Sequence, residues 1–508
     1  MPVTTGGEQQ FPGPVRVYGD IYSNDRGIDK IAITKTTADI TLYVAAAGND
    51  SNDGLTAGNA LLTIQAAIDK IPDNILHAVT INVGAGNFAA FAVRNKLIGG
   101  YLNQPATYQF TITGADPINY TPVGGGTGSG TATGGTTSTL IDAGQAWAAN
   151  ELRGKLVYVN SSWLFIRSND ATSLETIGIS SSTMNGKAYV IQDLSTVINT
   201  AQSYGTISSC IYLENVHGHM GSYAAINISK FKTSGATTTH AVYTAGAEAF
   251  LTYISALPSG SSFGFAIYNN SGQVGAENCC IVGGTNGFRI RYSRSIINGP
   301  LGSILALKNV FTYGASTSGI GLAFLTGYMS GAYLYADNCV TGFQIISNLS
   351  SIQITPLFAS YNTTYGVWVS GGTIYFGAGS VINNNGIGVQ VGTQPPPTGN
   401  QNSQTTSAVN FTYAVNVSNN TLSGVYLSMN SFMRSTTLTG TGNGAYGIYA
   451  RYGSRAFISS ATTITGTLGD VKIGDVVNSY ATDFATDTSY VWDVGEATLV
   501  ERKDSLVF

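Results

Sequence analysis

The chain has 508 residues, 43% of them apolar, with 63 glycines, 29 tyrosines and only 10% charged residues. That is ample apolar content for a packed core and excludes disorder, while the glycine and tyrosine describe a chain rich in turns and poor in helix formers. A net charge of −4 without a basic block argues against nucleic-acid partners, and no run of about 18 apolar residues suits a membrane helix.

Residues 1 to 41 are punctuated by Gly and Pro and then alternate weakly, which reads as a short extended arm or docking segment. The opening MPVTTGGEQQFPGPVRVYGD has neither a basic n-region nor an apolar h-region, so no signal peptide is expected.

Residues 42 to 103 begin with a strand (Leu42 to Val44) and a turn dense in Asn, Asp and Gly. A short helix is predicted next, because Ile64, Ala67, Ile68 and Ile71 fall at i, i+3, i+4 and i+7. Thr63 is placed to cap it and Pro72 to stop it. Val79, Ile81 and Val83 then share one face of a strand. Gly48 to Thr56 and Thr63 to Ile71 resemble the opening of right-handed β-helix proteins of the pectate-lyase-like superfamily, where a turn of this type and a short helix cap the first coil. Asp50, Asn52 and Asp53 invite a Ca²⁺ reading, but they lack the EF-hand spacing and closing glutamate, so a hydrogen-bonded turn and no cofactor are expected.

Residues 104 to 200 break that rhythm. GGGTGSGTATGGTTST (124 to 139) is a linker by composition, and short strands follow it. Leu140 to Asp142, Trp147, Asn150 to Lys155 and Ile166 to Leu174 resemble a small β module found as an insertion or appendage in phage tail fibres and spikes. Residues 201 to 240 return to strand patterns. His217 and His219 there have no Cys or carboxylate at ligand spacing, and polar turn residues are expected rather than a metal site.

From about 241 to 450 one phrase recurs: glycine, a large apolar residue, then alternation. Its first apolar residues are Val242, Phe265, Phe288, Ile320, Phe343, Val367, Ile387, Val425 and Ile448, at steps of 23, 23, 32, 23, 24, 20, 38 and 23. Period-two alternation makes each copy a strand buried on one face, and a repeat near 23 makes the array a solenoid. Parallel strands need a long return path, and the turn-rich residues between copies supply it. The fold predicted is all-β: a right-handed parallel β-helix over residues 201 to 470. An N-terminal capping helix and an inserted β module complete it. About eleven coils at about 4.8 Å each give a rod roughly 50 Å long. The 38-residue step carries QPPPTGNQNSQTTS (394 to 407), a loop pushed out from the rod. Asn338, Asn362, Asn383, Asn420 and Asn443 precede successive anchors and are expected to stack as a ladder of turn amides. The four cysteines fit small core or turn positions, with Cys279 and Cys280 on opposite sides of a strand. Residues 471 to 508 end in clustered charge (Asp493, Glu496, Glu501, Arg502, Lys503, Asp504), as suits a C-terminal cap or subunit contact.

A glycosidase needs two carboxylates about 5 to 9.5 Å apart. The candidates Glu214, Glu248, Glu277 and Asp337 share no coil offset, so a catalytic pair would have to form across a subunit groove. Arg289, Arg291, Arg294 and Arg451 lack the acidic metal partners a lyase would use. The outward positions beside the anchors are Tyr243, Ala266, Arg289, Gly321, Gln344, Trp368, Gly388, Tyr426 and Tyr449. Trp368, Tyr426, Tyr449, Tyr243 and Arg289 are therefore the candidate glycan-binding residues, against the plainer reading of a subunit interface.

The whole pattern resembles a bacteriophage tail spike or tail-fibre-like β-helix protein. The resemblance implies a homotrimer on the virion tail, attached to a tail or baseplate protein through the N-terminal arm and binding host surface polysaccharide, with no nucleic-acid or membrane partner. A polysaccharide depolymerase (hydrolase or lyase) and a bacterial surface adhesin are the alternatives.

Overall fold

The computed structural model describes residues 35–98, 110–205, 207–218, 226–234, 240–257, 263–268, 274–291, 305–323, 326–346, 349–392, 407–428, 431–451, 454–458, 462–473, 490–493 and 498–502. Residues 1 to 34 of the expected arm, His219, Arg294, most of the loop from 394 to 407, and Glu496, Lys503 and Asp504 lie outside this set.

The chain winds as a parallel β-helix. One wall is a sheet of 22 strands and another a sheet of 13, with neighbours in each contributed by successive coils. In the 13-stranded sheet the register runs Val242↔Phe265↔Phe288↔Ile320↔Phe343↔Val367, then Val389↔Val425↔Ile448, all parallel. Each of these anchors is buried and together they form one column of the core. The register corrects one anchor. Val389, not Ile387, pairs with Val367, and Ile387 pairs with Tyr365. The phrase GIGVQV offers two Gly-apolar pairs, and the expected assignment took the wrong one.

The recurring glycine has a steric cause. Gly264, Gly287, Gly319, Gly342, Gly366, Gly388 and Gly424 form a column in which each points at the carbonyl of the next. A Cβ on any of them would lie 2.4 to 2.8 Å from that oxygen, closer than carbon and oxygen approach without bonding.

The corners at Asn338, Tyr361, Asn384, Asn419 and Gly442 each place a left-handed residue before a buried one. Asn338, Tyr361, Asn384 and Asn419 have φ of 53°, 58°, 55° and 55°, a region Asn tolerates better than other side chains with a Cβ. The next residues include Asn362, Asn385, Asn420 and Asn443, which form the amide ladder. Asn362 Nδ2 donates to Asn385 Oδ1 (2.9 Å), Asn385 Nδ2 to Asn420 Oδ1 (3.2 Å) and Asn420 Nδ2 to Asn443 Oδ1 (2.9 Å). Two expected members stand elsewhere. Asn383 ends a strand and accepts a bond from Ser360 Oγ, and Asn338 is a left-handed corner. Cys339 takes the ladder position instead, donating its backbone N–H to Asn362 Oδ1 (2.9 Å).

At the N-terminal end the helix spans Ile64–Asp69, with the Thr63 hydroxyl accepting from the Ala66 N–H (3.1 Å). Its buried residues, Ile64, Ala67 and Ile68, join the rod core beside Ile71. Asp50 Oδ1 accepts the N–H groups of Leu62 and Thr63, its Oδ2 accepts the Thr63 hydroxyl, and Asn52 donates to Ala60 O. Asp53 accepts the N–H of Leu55. Asp50 thus ties the turn to the start of the helix, while Asn52 and Asp53 brace the turn itself.

The module interrupts a single coil. Phe110–Thr113 stacks between Val79–Val83 and Ile226–Ser234. The chain then leaves for a separate eight-stranded sheet and rejoins the rod at Thr196–Ile198. Leu140, Trp147, Leu152, Ile166 and Tyr189 lie in that module's own core. The module also lies against the rod, where Leu156, Phe165 and Ile177 pack on Cys280, Phe311 and Tyr335. Cys279 points the other way, into the rod core.

Candidate carbohydrate-binding face

The outward column of the 13-stranded sheet reads Ala92, Tyr212, Tyr243, Ala266, Arg289, Gly321, Gln344, Trp368, Gln390, Tyr426, Tyr449 and Lys472. Gln390 takes the place expected of Gly388, as the corrected anchor requires. Parallel pairing sets these residues about 4.8 Å apart along the rod.

The column is aromatic at its two ends. At the C-terminal end, half-buried Tyr426 and Tyr449 meet edge to face at 5.0 Å, and Tyr446 lies 5.5 Å from Tyr449. The Arg451 guanidinium is 5.7 Å from the Tyr426 ring centre and 6.0 Å from that of Tyr449. Lys472 Nζ stands 5.0 Å from Tyr446 and 5.2 Å from Tyr449. Cations over ring faces at such distances are attracted by the ring quadrupole. Two coils earlier, Trp368 is half-buried, leans on Tyr365 at 5.6 Å and donates its indole N–H to Gly392 O (3.1 Å). That bond fixes the ring. Between the two groups Gln390 is fully buried and donates to Ser428 Oγ (3.1 Å), so it offers no surface.

At the N-terminal end Tyr243 is on the outward side but is only 8% exposed, which corrects its expected role as an open platform. It stacks on Tyr212 (5.3 Å, 2° between planes), and Tyr212 stacks on Tyr204 (4.5 Å, 26°). The strand Gln202–Tyr204 folds back antiparallel on Ile207–Glu214 and supplies the last ring. His240 packs on the edge of Tyr243 at 5.2 Å, and burial pushes its pKa down to about 4. Arg289 is half-buried in mid-column, in register with Ala266 and Gly321.

The four candidate acids are not brought together. Glu214 pairs with Arg94 on the 13-stranded sheet (3.2 Å). Glu277 pairs with Lys308 on the 22-stranded sheet (2.7 Å). Glu248 sits at the corner before Ala249–Leu257, its N–H donating to Val216 O. Asp337 is buried and takes a two-pronged bond from Arg167 of the module (2.6 and 3.0 Å). Burial pushes the Asp337 carboxyl above its ordinary value, against the downward pull of Arg167. Its role is to hold the module to the rod. Among the described residues no group of three or more His, Cys, Asp or Glu is placed to hold a metal ion, and no helix is long and apolar enough to cross a membrane.

Tyr204, Tyr212, Tyr446 and Lys472 were not among the sequence candidates. Tyr446 and Lys472 carried a signal in AYGIYAR and GDVKI, where aromatic and basic residues flank an anchor. Tyr204 carried none, because its hairpin stands outside the repeat.

No protein family matches the chain, and no curated protein does. Several solved structures show a distant likeness. The A-module of Azotobacter vinelandii mannuronan C-5 epimerase AlgE6 is 13% identical over 79% of this chain and 92% of its own, at a TM-score of 0.40. The Pseudomonas phage phi297 tailspike gp61 is 12% identical over 81% and 70%, at 0.28. Bacteriophage CBA120 tailspike protein 3 is 9% identical over 84% and 64%, at 0.24. The β-helix assignment for this chain rests on its own strand register.

Proposed function

We propose that this chain is a tailspike-type virion protein that binds host surface polysaccharide on the outward face of its 13-stranded sheet. The observation that carries the reading is the half-buried group Trp368, Tyr426, Tyr446 and Tyr449 with Arg451 and Lys472 among them. Sugar rings present CH groups to aromatic faces and hydroxyls to charged rims, and stiff aromatics give up little conformational entropy on binding. The capping turn, the 23-residue coils and the inserted module, which resemble tail-spike sequences, supply the virion part of the reading. They also imply a homotrimer attached through the N-terminal arm.

The test is binding of host capsule or lipopolysaccharide to the intact protein and to Trp368→Ala and Tyr449→Ala. Each ring is expected to be worth tenfold or more in affinity, as buried aromatic anchors are. Affinity unchanged in both variants would overturn the reading. The same incubation, followed for new reducing ends or unsaturated uronate, separates binding from depolymerisation. Sedimentation is expected to give three copies; a monomer without glycan affinity would remove the spike assignment.

A further inference from the structure

A cleft of about 710 Å³ opens at the capped end of the rod, far from the aromatic group just described. Its size is within the ~300–1,000 Å³ of small-molecule sites. Helix and helix exit contribute Gln65, Asp69, Lys70 and Asp73, the first coil contributes Arg94 and Lys96, and the back-folded strand contributes Gln202 and Tyr204. We infer that this cleft is a second, independent carbohydrate site, for one or two neutral pyranose units stacked on Tyr204.

Three observations carry the assignment. First, an aromatic ring is presented on purpose-built backbone. The strand Gln202–Tyr204 is an antiparallel departure from an otherwise parallel sheet. It lays Tyr204 on Tyr212, while the Arg94 guanidinium is 4.9 Å from one ring centre and 5.0 Å from the other. With those centres 4.5 Å apart, Arg94 stands beside the stack and does not cap it. Tyr204 is half-buried and lines the cleft, so part of its ring is offered to a ligand there.

Second, the polar groups are held in place before any ligand arrives. Lys96 is only 7% exposed, and its ammonium donates to Ile71 O (2.7 Å) and Asp73 Oδ1 (2.8 Å). Gln65 accepts the Ala92 N–H (2.8 Å) and donates to Asp69 Oδ1 (2.8 Å). The bonds to Asp73 and Asp69 each use one carboxylate oxygen and leave the other as an acceptor. Groups already ordered lose little entropy on binding.

Third, the charges balance. Lys70, Arg94 and Lys96 face Asp69 and Asp73, with Glu214 behind Arg94 at 3.2 Å. A net charge on the ligand gains little from such a lining. Hydroxyls, which donate and accept, can use both signs. A neutral sugar fits this chemistry better than a uronate or a phosphate.

The experiment is saturation-transfer NMR on the intact chain with maltose, lactose, cellobiose and free glucuronate as probes. At least one neutral disaccharide is expected to bind at millimolar concentration, and glucuronate more weakly. Tyr204→Ala should weaken that binding tenfold or more, Tyr204→Phe by less than threefold, and Asp69→Asn, at an exposed position, by threefold or more. Trp368→Ala should leave it unchanged, which separates this site from the outer-face reading. No transfer to any neutral probe would overturn the inference. So would binding indifferent to both Tyr204→Ala and Asp69→Asn, or a loss in Trp368→Ala equal to that in Tyr204→Ala.

Discussion

Gly342 shows what a single residue of the repeat must be. A Cβ there would lie 2.6 Å from Gly366 O and 2.8 Å from Asn362 Nδ2. The first neighbour is backbone of the next coil and the second is a rung of the amide ladder, so neither can move alone. Gly342→Ala is therefore expected to cost roughly 1–3 kcal/mol, the usual penalty of overpacking. Gly58→Ala, where a Cβ meets nothing within 4 Å, should stay within about 0.5 kcal/mol. Urea unfolding of the two variants beside the parent checks both. Equal midpoints for all three would show that the coils have slack at the glycine column. Cys210 and Ala241 hold the same column nearer the capped end, so the crowding belongs to the coils from Gly264 onward. At this scale the sequence was legible wherever strict alternation exposed the inward side. It failed where two choices satisfied the same pattern, as at Ile387 and Val389 or at Asn383 and Asn385. Only the pairing of one coil with the next separates them. Tyr243 was legible as outward but not as covered, because its cover is the ring of Tyr212, on the coil before the clear repeat begins, with His240 at its edge.

At the scale of elements, the module and the rod meet through a seam that no local pattern announces. Cys280, Phe311, Tyr335 and Phe358 stand in register down the outer side of the 22-stranded sheet. Their partner is Phe165 and its neighbours, over a hundred residues earlier. Asp337 belongs to this seam, which explains why it lacked an acidic companion at matching coil offset. Arg167 stands over the Tyr335 ring at 5.3 Å while it pairs with Asp337, and both charges are largely withdrawn from water. Removing one partner of such a pair strands the other as an uncompensated charge. Arg167→Met should therefore cost on the order of 3–5 kcal/mol, and Arg167→Met with Asp337→Leu distinctly less. A double-mutant cycle by thermal or denaturant unfolding measures the difference. Additive losses would mean that the pair is incidental to docking and that the apolar seam alone carries it.

For the whole molecule, a solenoid is close to one-dimensional, and each coil is stabilised by its two neighbours. The module changes that for part of the rod. Trp163 meets Tyr253 edge to face at 5.9 Å, Arg153 lies 3.7 Å from the Tyr313 ring centre, and Tyr335 accepts the Gly178 N–H at 3.2 Å. With Lys230 Nζ 5.2 Å from the Trp163 ring and Arg167 on Asp337, these contacts reach across successive coils from Ile226–Ser234 to Thr326–Asp337 and bind them as a unit. From Tyr365 onward the described coils have only each other, closed at the end by Tyr490–Asp493 and the antiparallel Thr498–Arg502. Local opening follows the weakest cooperative unit. The rod should thus divide into two tiers, and the carbohydrate-facing group of Trp368, Tyr426 and Tyr449 falls in the softer one. Hydrogen exchange at rising urea is expected to lose protection first in strands 365–450 and later in strands 226–337. Arg167→Met should bring the second tier down toward the first, since it releases the strap without touching a coil. Loss of protection at one urea concentration along the entire rod, in parent and variant alike, would show that stacking alone sets the stability and that the module is only carried by it.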